Sequence, residues 1–254
     1  MFESERIQYR AGLGAISVVV SLTTWAIIAN SGLVSPLFLP SPHEVLAELR
    51  NGPSAHQWIL DFSFSTGRVL AGFAAAAAVA IPLGLYIGAA KTVDAITYPL
   101  IELARYVPVP ALVPLCILWA GVDELAKILV IFLGTVFQMV VGVAAAVRST
   151  PPDLIDAART LGRDGHRVLW TIVLPMNAPR VFDLLRLTLG WAWSYLVVAE
   201  LIAAQSGLGY RVLWAQRYLQ VGIVYFALFV LAFVGLGSDI LLRQLRRRIF
   251  PWDR

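Results

Sequence analysis

Five stretches of this chain run for 17 residues or more without a charged side chain: residues 13–29, 69–90, 106–122, 128–147 and 221–238. A helix that crosses the hydrocarbon core of a bilayer needs about 20 predominantly apolar residues, so each run is long enough, or nearly so, to span. A sixth segment, 181–204, is apolar from Leu187 to Ala199 and carries Asp183 and Arg186 near its start and Glu200 near its end. Charges at those places reach the interface, whereas one at the helix centre would cost about 2.5–3.5 kcal/mol on the insertion scale. The short alternating strands of a membrane β-barrel do not fit runs this long and continuous. The expected fold is therefore all-α, a single transmembrane domain over 1–254. Its spans fall at about 13–30, 66–90, 106–122, 128–147, 180–204 and 221–242, with a loop at about 148–177.

Composition agrees. Of 254 residues, 59% are hydrophobic and only 14% charged, against roughly 25% charged in soluble domains. Soluble catalytic folds are excluded, and the net charge of +4 does not call for nucleic acid. With the N-terminus inside, the inner segments hold twelve Lys and Arg, from Arg6 through the 243–248 cluster to Arg254. The outer segments hold four: Arg50, Lys127, Arg211 and Arg217. Arg68, Arg105, Arg180 and Arg186 stand at span ends. The positive-inside rule then places both termini in the cytoplasm. The lone Cys116 lies in an apolar run and offers no disulfide framework. His43, His56 and His166 are scattered over both sides and form no metal set.

The first run follows Arg6 and Arg10 as a signal peptide would, but it outlasts a typical 7–15-residue signal core and no convincing cleavage site follows, so it reads as a retained helix. Gly72, the alanine tract 74–78, Gly84 and Gly88 put small side chains at helical spacing, which lets a neighbouring helix approach closely.

The longest inner loop is structured. Ser149-Thr150-Pro151-Pro152-Asp153 carries helix-start signals, and Leu154, Ile155, Ala158 and Leu161 then recur on one face before Gly162 stops the helix. Val168, Leu169, Ile172 and Val173 form a second apolar stripe ending at Leu174-Pro175. Two short helices joined at a glycine are expected, either closing the bundle or presenting a contact surface.

Asp156-Ala157-Ala158, three residues, Gly162, nine residues and Ile172-Val173-Leu174-Pro175 resemble the EAA loop of bacterial ATP-binding-cassette (ABC) importer permeases. That pattern is Glu-Ala-Ala, x3, Gly, x9, Ile-x-Leu-Pro; only its first position differs here, where Asp156 keeps the charge and shortens the reach. The 38–42 segment, Arg68-Val69-Leu70-Ala71-Gly72-Phe73, Pro108 to Leu115, and Ala199-Glu200-Leu201-Ile202 with Ser206-Gly207-Leu208-Gly209-Tyr210 are similar to the subgroup importing nitrate, bicarbonate, taurine and aliphatic sulfonates. The resemblance implies a type I ABC importer permease in the bacterial inner membrane, paired with a second permease copy. It implies cytoplasmic ATPase subunits that bind ATP and Mg, and an extracytoplasmic substrate-binding protein. The EAA loop would be the coupling helix, with Asp156, Ala157, Ala158, Arg159, Gly162, Arg163, Asp164 and Arg167 at the ATPase contact. A stiff exposed knob on short connections suits transmission of a rigid-body push. The arginines also read as ordinary positive-inside residues.

The chain itself has no P-loop: the nearest match ends Ala90-Lys91-Thr92 and lacks both glycines, so no cofactor is expected in it. Polar residues inside spans are candidates for a substrate path. They are Gln138 near the middle of span four, Trp193, Ser194 and Tyr195 in span five, and Glu200 toward its outer end. Each could instead bond or pack against a neighbouring helix. Pro108, Pro110 and Pro114 should kink or break span three, which is tolerable where the freed backbone is buried or lines a cavity. An ATP-independent carrier or channel is the alternative reading; a lipid-processing enzyme would need a catalytic cluster that the sequence does not offer.

Overall fold

The computed structural model describes the backbone of residues 2–160, 162 and 165–253, and their side chains except those of 2–8, 10, 11, 159 and 203. The described residues form helices and no strand. In chain order these are α1 (Phe2–Asn30), α2 (Pro42–Asn51), α3 (Ala55–Ala89), α4 (Lys91–Arg105), α5 (Val109–Ala120), α6 (Glu124–Arg148), α7 (Pro152–Thr160) and α8 (Gly165–Val168). A π-helical turn (Leu169–Val173) then leads into α9 (Leu174–Ala203), followed by α10 (Leu208–Arg217) and α11 (Val221–Ile249). Five helices are long and apolar enough to cross a membrane, and α4 with α5 makes a sixth crossing if the bent pair counts as one.

The chain separates into two compact units, Met1–Ile59 with Arg211–Phe229, and Leu60–Tyr210 with Val230–Arg254. In the first, α2 opens with a capping box: the Glu44 N–H donates to Ser41 Oγ at 3.3 Å and the Ser41 N–H to Glu44 Oε2 at 2.7 Å. Pro42 sits at the first helical position, where its missing N–H costs nothing. Trp25 donates its indole N–H to the Pro40 carbonyl at 3.0 Å and stacks on Tyr225.

The second unit is organised around α6, half of whose apolar window is buried. The small-residue face of α3 lies directly on it. A Cβ at Gly84 would come within 2.6 Å of Val143 Cβ, and one at Gly88 within 2.6 Å of Val147 Cβ. Only glycine admits that approach.

One local expectation is corrected and two are made more exact. Span three breaks, as its prolines predict: α4 and α5 meet at a bend of 100°, and the bent pair starts at Lys91, before residue 106. Pro108 has no N–H to donate, and it disfavours the helical region at Val107, so the chain leaves the helix across Tyr106, Val107 and Pro108. The apolar stripe at 168–173 is not a second short helix stopped by Pro175. It runs through the π turn into α9, with the Leu174 N–H reaching the Leu169 carbonyl. The wider turn relieves the clash between a proline ring and the carbonyl four residues earlier, and Pro175 sits in the first turn of α9. The helix that carries the 66–90 run, α3, itself starts at Ala55, and its 35 residues extend about 50 Å.

Candidate functional site

The loop between α6 and α9 projects one short helix. On α7, Ala158 is buried and Ile155 half-buried against Val147, Val168 and Val173, while Asp156, Ala157 and Thr160 are exposed. Leu154, expected on the inner face, is exposed. Gly162 follows at φ +72°, in the left-handed region that glycine enters freely, with nothing within 4 Å of where a Cβ would stand. Arg167 is exposed. The side chain of Arg159, and Leu161, Arg163 and Asp164 entirely, lie outside the described residues.

Polar ties fasten this knob to the long helices. The buried Asn177 amide of α9 donates to Thr150 Oγ1 at 2.7 Å and to the Val173 carbonyl at 2.9 Å. Arg180 bonds Ser149, Arg148 pairs with Asp94 of α4, and the Tyr86 hydroxyl of α3 bonds His166. The residues on either side of α7 are thus tied to α3, α4, α6 and α9.

At the other end of α6 lies a buried ion cluster. Arg68 uses all five of its N–H donors: Nε to Glu124 Oε2 at 2.5 Å and Nη2 to Glu124 Oε1 at 2.8 Å, Nη1 to Glu200 Oε1 at 2.5 Å and to the Ser206 carbonyl at 2.7 Å, and Nη2 also to Ser206 Oγ at 3.0 Å. Glu200, with no exposed surface, also accepts from Ser65 Oγ at 2.7 Å and from the Gly209 N–H at 2.7 Å. The Leu208 N–H donates to Ser65 Oγ and the Gly207 N–H to Asp61 Oδ1, both at 2.9 Å. Lys127 Nζ donates to Glu124 Oε1 at 2.8 Å. Arg68 is the fourteenth residue of α3 and Glu124 the first of α6, so the overhang of α3 lets the cluster sit at the edge of the apolar slab and not at its centre.

A third feature lies at the α4–α5 break: a cleft of about 340 Å³ lined by residues that include Arg105, Tyr106, Val109, Phe137, Gln138 and Tyr195. Gln138 stands about 21 Å along α6 from Glu124, by its rise per residue.

Of the expected path residues, the structure brings Gln138 and Tyr195 to this cleft. Trp193 packs inward and donates to Ser238 Oγ at 3.2 Å, Ser194 is exposed away from the cleft's lining, and Glu200 belongs to the ion cluster. Sequence reading left Arg68 and Arg105 as charges at span ends. Their signal was there: each directly borders a long uncharged run, and Arg105 directly precedes a proline-rich one.

Residues 80–251 match the family model described as binding-protein-dependent transport system inner membrane component. The chain is 38% identical to the taurine transport system permease protein TauC of Escherichia coli K12, over 96% of this chain and 90% of the relative. It is 31% identical to the putative aliphatic sulfonates transport permease protein SsuC of Bacillus subtilis 168, over 98% and 89%. It is 28% identical to the nitrate import permease protein NrtB of a Synechocystis strain, over 94% and 90%. In fold it is similar to a chain of the MetNI methionine ABC transporter in an inward-facing conformation, with TM-score 0.67 at 17% identity, covering 78% of this chain and 99% of that one.

Proposed function

The chain belongs to the family of binding-protein-dependent transport inner-membrane components, and on that premise we propose how its parts divide the work of an ABC importer. It is the membrane-spanning permease subunit. Two copies face one another around a single path, and separate cytoplasmic ATPase subunits bind ATP and Mg and close on nucleotide. A binding protein outside delivers the solute, and both termini and the 148–177 loop lie in the cytoplasm, where the basic residues cluster. The solute is a small anion or zwitterion of the nitrate, bicarbonate, taurine or sulfonate class, in line with the relatives' names.

The observation that carries the coupling role is α7: a single exposed helix with Ala158 anchored beneath and Asp156 and Ala157 on its free face. The ties at Thr150, Arg148 and His166, which flank it, then pass its motion to α3, α4, α6 and α9. Asp156, Arg159, Arg163, Asp164 and Arg167 supply directional polar contacts to the ATPase, and Gly162 sets the turn that follows.

Affinity purification of the tagged chain from its host in mild detergent tests this. An ATPase should co-purify stoichiometrically and be lost in Gly162→Arg, whose side chain would stand in open space on a left-handed backbone, with the permease itself still monodisperse. A wild-type chain that purified alone while still moving solute in vesicles would rule out coupling through this loop.

A further inference from the structure

Two arginines of the second unit differ in one respect. Arg68 has every donor engaged. Arg105 does not: among the described residues its hydrogen bonds all leave from Nη2, to Glu102 Oε1 at 2.5 Å and to the Tyr106 hydroxyl at 3.1 Å. Its Nε–H is buried without a partner, and so is Glu102 Oε2. A guanidinium and a carboxylate that could pair through two parallel bonds are joined by one. A buried donor left open is costly, which makes it a place to look for a missing acceptor.

Arg105 lines the cleft at the α4–α5 break, where three further features converge. Gln138, from the middle of α6, and Tyr195, from α9, line it with Arg105. The backbone across Tyr106–Pro108 has left the helix, which in an apolar slab is tolerable where it lines a polar space. Val109, the first residue of α5, is on the wall, so the positive end of that helix borders the same space. The volume, about 340 Å³, is at the small end of the roughly 300–1,000 Å³ typical of ligand sites.

We propose that this cleft is an oxoanion station within the membrane, in which the Arg105 guanidinium and the Gln138 amide take the oxygens of a passing nitrate, carboxylate or sulfonate group. Glu102 is the counter-charge that holds Arg105 while the station is empty. An arriving oxoanion displaces Glu102 from Nη2, and that rearrangement uncovers the Nε–H, which is buried while the station is empty. Because Glu102 competes for the same guanidinium, the anion is held weakly enough to leave, as conduction through a path requires. This rests on the importer reading for its setting and not for its chemistry.

The test uses the full chain in lipid nanodiscs, with Leu133→Cys, another residue of the cleft wall, as reporter in a Cys116→Ala background. Two thiol reagents of similar size are compared, the anionic sulfonatoethyl and the cationic trimethylammonioethyl methanethiosulfonate, each rate divided by its rate with free mercaptoethanol. The anionic reagent should be favoured by about tenfold, the low end of what a focused charge gives. Adding Arg105→Gln should abolish the preference, Arg105→Lys should keep most of it, and millimolar sodium methanesulfonate should slow the anionic reagent when Arg105 is present. Equal normalised rates with Arg105 in place, or a preference that survives Arg105→Gln in a monodisperse protein, would overturn the proposal. Should Arg105→Gln aggregate, absence of methanesulfonate protection with Arg105 intact overturns it alone. No ATPase enters this assay, so the co-purification experiment can fail while the station stands, and the reverse.

Discussion

At the scale of single residues, saturation separates a structural charge from a working one. Removing the guanidinium of Arg68 leaves Glu200 buried without a counter-charge, and losing one partner of a buried pair costs about 3–5 kcal/mol. We expect Arg68→Met to lower the thermal unfolding midpoint in detergent sharply. The double variant Arg68→Met with Glu200→Leu should regain part of the loss, because no carboxylate is then stranded and Glu124 keeps Lys127. A double variant no better than Arg68→Met would mean that the cluster acts through packing and not through charge. None of this pairing was legible in the sequence. Arg68 and Glu200 are 132 positions apart, and an arginine beside an apolar run looks the same whether it snorkels to the interface or is buried against two carboxylates. By contrast, Gln138 was legible as a candidate, because hydrocarbon penalises any amide without a reason to be there, and the structure places it on the cleft wall.

At the scale of helices, the uncharged runs fixed the order and approximate place of the long elements, since few other solutions bury 20 apolar residues in succession. The break between α4 and α5 was expected from its prolines, but its position and 100° bend depend on what the chain packs against. The π turn left no periodic trace at all: its residues carry the apolar stripe of an ordinary helix. The glycine face of α3 was legible and its partner was not. Gly84→Leu should drive a side chain into Val143 of α6, where a Cβ already falls at 2.6 Å, and overpacking of this kind costs about 1–3 kcal/mol. Val143→Ala in the same chain should restore part of the thermal midpoint, and no rescue would mean the damage lies elsewhere. Adjacent positions on α7 make a second test. Ala157→Trp, on the exposed face, should leave the midpoint unchanged and release the ATPase from the purified complex. Ala158→Trp, at 2% exposure, should lower the midpoint itself. If both behaved alike, α7 would not be a surface knob with one anchored side.

At the scale of the whole molecule, the open side of the cleft argues for a second copy. Tyr106 in the break, Leu103 in the last turn of α4, and Leu118 and Trp119 in the last turn of α5 are all exposed, Tyr106 and Leu118 at 70% and 77%. A cleft bearing Arg105 and Gln138 cannot open onto lipid tails without stranding their donors in hydrocarbon. Closing it with the same cleft of a twofold-related copy gives one path with two guanidiniums facing each other across it, and the self-complementary contact that twofold symmetry requires. Disulfide trapping decides the matter. In a Cys116→Ala background, oxidised membranes should yield a cross-linked pair with Tyr106→Cys or Leu118→Cys. Phe233→Cys, just as exposed on α11 at 70%, should stay single, because that side chain meets lipid. Cross-linking through position 233 and not through 106 or 118 would put the copies together by another face, leaving the Arg105 cleft to be closed by something other than its own image.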